Sequence, residues 1–304
     1  AYGAALKELG GINEKVVALE ADVGSSSKSI LFGKEYPERY FNVGISELNM
    51  VNMSAGLALE GMIPYVNTFA VFMASRALDP VQSLIAYDKL NVRLCGTYCG
   101  LSDSYDGASH QAIADIAAMR SIPGMTVISV ADAVETRKAV MALADYEGPA
   151  YLRLSRAPQP VTYSEDFDFE IGKGAVHKEG QDITIISTGT VLHNVLEAAK
   201  LLEAEGIHAT VVDMHTIAPI DGELIEKCAK DTGAILTVEE HSIHGGLGSA
   251  VAEVTAAKCP VLVDILGIED FAESGPLDAL VEKYGFGAEN IAARAKALLK
   301  RKEN

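Results

Sequence analysis

Residues 44–47, Gly-Ile-Ser-Glu, lie between an apolar run and the start of a helical pattern. Their last residue, Glu47, carries a carboxyl group. The positive end of a helix dipole favours an acid in the first turn, and Ser46 is a good capping residue. The carboxyl edge of a parallel sheet is also where α/β proteins build their sites. The motif therefore predicts either an ordinary helix start or a functional carboxyl group, that of Glu47, which shares a proton with a bound heterocycle.

Two aromatic rings, those of Phe69 and Phe72, lie three positions apart on the next apolar segment. This spacing is typical of packing on one helix face. The same rings could form a platform for a flat ligand, since offset ring stacking contributes about 0.5–1.5 kcal/mol beyond area burial. Spacing alone leaves both interpretations open.

The most polar stretch is residues 100–111, between an apolar run and a helical pattern. Loops of this length are uncommon in compact domains and are often functional. His110, close to Asp106, is suited to act as an acid, a base or a ligand for hydroxyl groups near neutral pH. The alternative is a histidine at a helix start whose ring is satisfied by the loop backbone.

Further polar side chains follow apolar runs later in the sequence. Arg153 and Arg156 end an apolar run, and Arg156 either binds a phosphate or carboxylate or is an exposed residue at a domain end. Residues 241–248 combine two histidines with glycines, but they lack a third metal ligand and a Lys-Ser/Thr pair after the glycines. We therefore expect this segment to be structural. Residues 188–190 hold one of the three glycines of a dinucleotide fingerprint, which is weak evidence for a nucleotide.

Alternating strands and helices must position these residues. Short β-branched runs predict strands over residues 16–23, 40–43, 64–69, 91–97, 125–130, 150–154, 183–187, 210–214, 234–238 and 261–265. Helical spacing predicts helices over residues 46–60, 70–87, 110–120, 133–146, 191–205, 221–231, 249–258, 277–284 and 288–300. The alternation predicts an α/β protein with mostly parallel sheets and helices on both faces.

The alternation breaks within residues 156–174, which contain two prolines, an acidic cluster and two glycines. We predict a first domain over residues 1–160, a linker over residues 161–174 and a smaller α/β domain over residues 175–304.

Composition excludes several classes of partner. The net charge of −17, from 42 acidic and 25 basic residues, would repel a nucleic-acid backbone or an anionic membrane surface. We find no apolar run of membrane-spanning length and no targeting pattern at the amino terminus. Four cysteines are too few for a disulfide framework in 304 residues and are predicted to be reduced. We expect a cytoplasmic globular protein with no nucleic-acid or membrane partner.

An ordered set of motifs resembles transketolase along essentially the whole chain. The matching residues are 21–22, 44–50, 55–58, 64–72, 76–77, 106–111, 122–125, 154–156, 237–241 and 245–248. The resemblance implies the pyrimidine-binding domain and the carboxyl-terminal domain of a thiamine diphosphate enzyme. Such an enzyme transfers a two-carbon ketol unit between sugar phosphates in the pentose phosphate pathway.

The family's diphosphate site uses a Gly-Asp-Gly and a downstream Asn as oxygen ligands for Mg²⁺ or Ca²⁺, and this sequence lacks that motif. The resemblance therefore implies one subunit of a two-chain transketolase, with no metal ligands of its own. A partner subunit carrying the diphosphate-binding domain would supply them. The expected assembly is a heterotetramer with two copies of each chain.

The resemblance also implies roles for single residues. Glu47 matches the catalytic carboxyl group that hydrogen-bonds the pyrimidine nitrogen and promotes its imino tautomer. Phe69 and Phe72 match the aromatic pocket of that ring, with Phe72 the closer. Asp22 matches a buried acid near the cofactor.

The substrate residues are matched in the same way. Asp106 and His110 match ligands of sugar hydroxyl groups, and His110 is also expected to be catalytic. Ser26 and Arg156 match ligands of the phosphate. Tyr98 stands in the substrate loop where many transketolases have a histidine, and Ser75 replaces an aromatic residue.

Three alternatives remain open at this point. A 2-oxoacid dehydrogenase β subunit has a similar size, but residues 106–111 argue against it. Deoxyxylulose-phosphate synthase shares that loop, but it is usually one long chain and lacks the Leu-Ser-Arg of residues 154–156. The chain could also be a binding or regulatory remnant without catalysis, which the presence of Glu47, both phenylalanines and His110 disfavours.

Overall fold

The computed structural model describes residues 1–302 as an α/β protein with two sheets. Its strands are β1 (Val16–Glu20), β2 (Tyr40–Asn42), β3 (Ile63–Phe69), β4 (Arg93–Thr97), β5 (Thr126–Ser129), β6 (Ala150–Arg153), β7 (Ala175–Lys178), β8 (Ile183–Ser187), β9 (Ala209–Asp213), β10 (Thr216–Ala218), β11 (Ala234–Ser242) and β12 (Leu262–Ile268).

The helices follow the same chain order. They are α1 (Tyr2–Ile12), α2 (Gly24–Ser27), α3 (Ile30–Glu35), α4 (Glu47–Leu59), α5 (Ala70–Ser75), α6 (Leu78–Pro80), α7 (Asp115–Arg120), α8 (Ala133–Asp145), α9 (Leu192–Ala204), α10 (Gly222–Thr232), α11 (Leu247–Lys258), α12 (Leu277–Lys283) and α13 (Ala288–Lys302). Short 3₁₀ turns occur at Pro37–Arg39, Gly100–Ser102 and Gly189–Val191, and Val81–Ala86 is π-helical.

In the described part of the chain, seven strands form the first sheet in the order β10-β5-β6-β4-β3-β1-β2. Strands β1 to β6 are parallel to one another. Strands β1, β4, β5 and β6 are buried along their whole length, and their sequences accordingly show no strict alternation of apolar and polar residues. The segments that follow β3, β4 and β6 all leave the sheet at the carboxyl ends of these parallel strands, and most of the predicted site residues lie there.

The second sheet has the order β12-β11-β8-β9-β7, with β7 antiparallel to β9. Helices α9, α12 and α13 pack on one face of this sheet, whereas α10 and α11 pack on the other. The prediction of a two-domain α/β protein with mostly parallel sheets is therefore confirmed.

One strand joins the two halves of the chain. β10 follows β9 of the second sheet, yet it pairs antiparallel with β5 at the edge of the first sheet, with Thr216 opposite Ile128 and Ala218 opposite Val127. The first sheet is therefore completed by residues beyond the predicted linker. The domain boundaries that we derive from composition stay a prediction about folding units.

Two predicted helices differ from the observed ones. The helix predicted over residues 70–87 is interrupted after Ser75 and is followed by α6 and the π-helical segment Val81–Ala86. Pro80 is the last residue of α6 and has no backbone N–H to donate to an α-helical hydrogen bond. The helix predicted over residues 110–120 begins at Asp115 instead. The carbonyl groups of Ala112 and Ile113 accept hydrogen bonds from Gly100 and from the second domain, which holds this segment outside the helix. Helix α1 was not predicted.

A buried cluster of acids lies where the linker crosses between the sheets. Glu135 of α8 and Asp213 of β9 are within hydrogen-bonding reach of each other and are fully buried. The Tyr163 hydroxyl donates to Asp213 Oδ2 at 2.7 Å, and Asp132 Oδ2 accepts from the backbone N–H groups of Thr162 and Tyr163 at 2.6 and 2.9 Å. Burial raises the pKa of Asp213 to about 7, and burial together with the neighbouring Asp213 raises the pKa of Glu135. The pair therefore holds a proton that its unfolded counterparts release near pH 4.

This shared proton predicts a pH dependence of stability. Since both folded pKa values are raised, the folded chain binds more protons than the unfolded chain from about pH 4 upward. Stability should therefore fall as pH rises through the folded value near 7, by about 1.4 kcal/mol per pH unit for one proton. Glu135→Gln keeps a hydrogen-bond donor without the titration, so we expect a smaller fall between pH 5 and 7. Urea denaturation across this range measures it, with the exposed Glu165→Gln as control; equal slopes in all three proteins would contradict a shared proton.

Candidate functional site

Glu47 begins α4 at the carboxyl edge of the first sheet. The preceding turn contains Gly44 with φ of +73°, a conformation that favours glycine. Glu47 is the first helical residue and only 5% exposed, and Oε1 lies 3.9 Å from Nη1 of Arg76. The residue is therefore both a helix start and a buried carboxyl group, and its functional role stays a prediction.

The two aromatic rings lie near this carboxyl group. Phe69 ends β3 and Phe72 lies in α5; their rings are stacked with centroids 6.0 Å apart, and both are half-buried. The guanidinium carbon of Arg76 lies 4.4 Å from the Phe72 ring centroid, so Arg76 links these rings to Glu47. Because the rings keep part of their surface open, they differ from ordinary core aromatics.

Residues from the following loop complete the aromatic cluster. The Tyr98 ring stacks on Phe69 at 4.5 Å, and the His110 ring meets Phe72 edge-on at 5.3 Å. Ser109 Oγ lies 2.9 Å from His110 Nδ1. Tyr98 has φ of +60° at the sheet edge, where the chain turns after β4. The loop thus brings Tyr98 and His110, far from Phe69 in sequence, against the same rings.

A cleft of 560 Å³ opens next to Tyr98. It is lined by Ser26, Tyr98 and Arg156, three of the predicted substrate residues, together with Lys28 and Thr190. The guanidinium carbon of Arg156 lies 4.9 Å from the Tyr98 ring centroid. Hydroxyl groups and two basic side chains on one cleft can bind an anionic group.

Asp103 is a residue that sequence reasoning missed. Its side chain is fully buried beneath the loop, and Oδ1 accepts a hydrogen bond from Nη1 of Arg156 at 3.2 Å. Burial and the adjacent Asp106 raise the pKa of Asp103 to about 6, against the opposing effect of Arg156. The available signal was its place in the same polar loop as Asp106. Asp103 thus binds the guanidinium group of Arg156 and connects it to the loop that carries Asp106 and His110.

In this chain Asp22 is not buried, although the resemblance implies a buried acid at this position. Asp22 is exposed, has φ of +61°, and accepts a hydrogen bond from Asn42 Nδ2 at 3.1 Å. The buried acid of this segment is Glu20, which ends β1, accepts from the backbone N–H of Val23 at 2.8 Å and has a pKa raised by burial. The chain leaves the strand after Glu20, so the acid two residues later lies in solvent.

The two remaining candidates make internal contacts. Arg153 is buried and donates to Asp115 Oδ2 at 2.8 Å and to the carbonyl of Glu240 at 2.8 Å. His241 Nε2 accepts from the backbone N–H of Ala117 at 3.2 Å, and Glu239 accepts from the first N–H groups of α11 at 2.7 and 2.8 Å. These contacts agree with the structural role expected for residues 241–248.

Across residues 1–302, we find no group of three or more His, Cys, Asp or Glu side chains arranged to hold a metal ion. The helices of this described range are also too short or too polar to cross a bilayer.

Family comparison matches both halves of the chain. Residues 1–160 match the transketolase pyrimidine binding domain, and residues 172–291 match the transketolase C-terminal domain.

Individual relatives cover the chain almost completely. A putative transketolase C-terminal section from Methanocaldococcus jannaschii is 44% identical over 297 residues, which are 96% of this chain and 93% of the relative. Transketolase from Rattus norvegicus is 38% identical over 303 residues, which are 98% of this chain but 48% of the rat protein. A solved split-gene transketolase, described as an inactive β4 tetramer, has a TM-score of 0.93 at 48% identity and covers 99% of this chain and 97% of its own.

Proposed function

Because the chain belongs to the transketolase family, we propose that it is one subunit of a two-chain, thiamine diphosphate-dependent transketolase. The enzyme transfers a two-carbon ketol unit between sugar phosphates when a partner subunit completes the cofactor site. The observation that carries this proposal is the cluster of Glu47, Phe69, Phe72 and His110 at one sheet edge. A buried carboxyl group beside open aromatic rings fits a flat, nitrogen-containing ring.

In this proposal, Phe69 and Phe72 hold the aminopyrimidine ring, and Glu47 hydrogen-bonds a ring nitrogen and shares its proton. When bound, thiamine diphosphate supplies the nucleophilic carbon that carries the ketol unit. Asp22, exposed beside the same sheet edge, keeps a proposed role near the cofactor through its side-chain oxygens. The half-buried rings also keep water from the carboxyl group, which strengthens its hydrogen bonds.

The proposed substrate residues belong to the polar loop and to the cleft beside Tyr98. Asp106 and His110 bind sugar hydroxyl groups, and His110 exchanges a proton with them, because an imidazole nitrogen can both accept and donate a proton. Ser26 and Arg156 bind the phosphate, with the Tyr98 ring packed against the Arg156 guanidinium. Planar guanidinium groups match phosphate oxygens in pairs, which supports this role.

A partner subunit is proposed because the chain spans about half of the rat enzyme. It would bring the diphosphate-binding domain and the oxygen ligands of Mg²⁺ or Ca²⁺. Exposed apolar side chains before and along α4 support an interface: beside Glu47, Ile45 is 75% exposed and Leu48 49%, and at the far end of the helix Leu59 is 69% exposed. Two copies of each chain would form the heterotetramer.

The remaining functional details are also proposals. The sugar phosphates are those of the pentose phosphate pathway, and the enzyme acts in the cytoplasm. Four free cysteines, three of them buried, support a reducing compartment.

The test is reconstitution. The purified chain alone should bind thiamine diphosphate weakly in calorimetry with Mg²⁺ and show no ketol transfer, because the diphosphate provides most of the anchoring charge. Adding a partner chain with the Gly-Asp-Gly motif should restore both binding and transfer. Light scattering should give a mass of two copies of each chain.

Tight, magnesium-dependent binding by the single chain would contradict the two-chain proposal. A fully active heterodimer with one copy of each chain would contradict the tetramer and leave the activity in place. A partner that binds without restoring transfer of a ketol unit would contradict the enzymatic function.

A further inference from the structure

The loop that carries Asp106 and His110 is anchored at its base by the second domain. Leu101 is fully buried and belongs to the hydrophobic core formed by α9, α12 and α13, where Ala272 and Leu280 lie in the same cluster. A Cβ at Gly100 would lie 2.7 Å from Oε2 of Glu240, so the loop backbone runs directly against β11. The loop therefore starts inside the packing of the other domain.

Residues 273–275, just before α12, contact the middle of the loop. The backbone N–H of Gly275 donates to the carbonyl of Ser104 at 3.0 Å. A Cβ at Gly107, which has φ of +75°, would lie 2.3 Å from Oγ of Ser274. The second domain thus fits against the turn between Asp106 and His110.

Gln111 makes the contact nearest to the histidine. Its side chain is 3% exposed, and Nε2 donates to the backbone carbonyl of Glu273 at 3.0 Å. Beyond it, the N–H of Ser242 donates to the carbonyl of Ile113 at 2.7 Å. The loop is therefore held from base to end by the second domain, and His110 lies one residue from the central contact.

We propose that Gln111 is a positioning residue, and that residues 273–275 of the second domain hold Asp106 and His110 in place for the sugar through it. This inference rests on the proposed function, since it takes Asp106 and His110 as substrate ligands. A loop without regular structure must be ordered before it can bind, and contacts made in advance remove that cost from substrate binding. The second domain thereby influences substrate affinity from outside the cleft.

The place of the His110 ring transmits this influence to the site. The ring packs on Phe72 by its edge, with centroids 5.3 Å apart. A shift of the loop would displace this ring from the aromatic cluster. Release of Gln111 should weaken sugar binding without changing the groups around Glu47.

The test uses the reconstituted complex with Gln111→Met, which keeps length and burial but loses the donor. We expect a rise of about tenfold in KM for the sugar phosphate, a smaller change in kcat, and unchanged C2 proton exchange of the bound cofactor. Hydrogen exchange should become faster in residues 104–111 and stay unchanged in α4. Glu273→Ala is the matched control, because it removes the exposed pair with Lys283 but keeps the accepting carbonyl.

A second pair of variants tests the same inference in case Gln111→Met does not fold. Gly275→Ala keeps the N–H that bonds Ser104, and its Cβ would meet Leu280 only at ordinary contact distance, whereas Gly275→Pro removes that N–H. Only the proline variant should raise KM and speed exchange in the loop.

Wild-type KM and unchanged loop exchange in both Gln111→Met and Gly275→Pro would overturn the inference. A wild-type complex that transfers no ketol unit would overturn the proposed function instead, and loop exchange would still decide whether Gln111 positions the loop.

Discussion

Glu47→Gln is expected to slow ketol transfer in the reconstituted complex by about 10²–10⁴-fold, the usual contribution of a general acid or base. Glutamine keeps the shape of the buried side chain and one acceptor oxygen, but it has no proton to share with a ring nitrogen. C2 proton exchange of the bound cofactor should slow as well, because it depends on the same proton. The thermal midpoint should change little, since a carboxylate in the first turn of a helix contributes only about 0.3–1 kcal/mol.

The control is Glu60→Gln at the other end of α4, where the side chain is exposed. It removes one negative charge from the same helix but touches none of the aromatic rings. If Glu47→Gln turned over and exchanged within a few fold of Glu60→Gln, Glu47 would be a helix-start residue and the catalytic assignment would be wrong.

Arg153→Met is expected to destabilise the chain by about 3–5 kcal/mol, as happens when one partner of a buried ion pair is removed. The substitution would leave the carboxylate of Asp115 buried without its cation, with only the Tyr151 hydroxyl still donating at 2.7 Å. It would also remove the Nη2 donor to the carbonyl group of Ala112 in the same domain and to that of Glu240 in the second domain, and the latter hydrogen bond joins the two domains. Urea denaturation of the single chain measures the change in the free energy of unfolding.

Arg137→Met is the matched comparison. Arg137 pairs with Glu8 on the surface, and both side chains are 44–48% exposed, so its loss should cost about 0.2–1 kcal/mol. Similar decreases in the free energy of unfolding for both variants would show that Arg153 does not anchor one domain to the other.

Pattern reasoning succeeded where one local rule decided the structure. The short β-branched runs correspond to β4, β5 and β6, since strands buried on both faces do not need to alternate apolar and polar residues. Glu47 could be placed at the carboxyl edge of the first sheet because parallel strands end there together. These features depend on neighbours close in sequence or on the direction of the strands.

The failures share a different cause. The segment from His110 to Asp115 has a helical pattern, but hydrogen bonds from the second domain hold its backbone, and contacts distant in sequence outweigh propensity. β10 is three residues long, and its partner β5 lies far earlier in the chain. Asp103 was passed over because an acid in a polar loop gives no sign of burial until Arg156 is seen above it.

The strand β10 has a consequence for engineering hybrid enzymes. A gene cut within residues 161–174 would separate β5 from Thr216–Ala218 and leave a row of unpaired N–H and C=O groups along Thr126–Ser129. Such an open edge is a template for pairing with other chains and for aggregation. A chimaera that takes its second half from another transketolase must therefore also match the side chains at Val127 and Ile128, or exchange both halves together. In this protein, the crossover point for recombination is set by a shared strand and not by the linker.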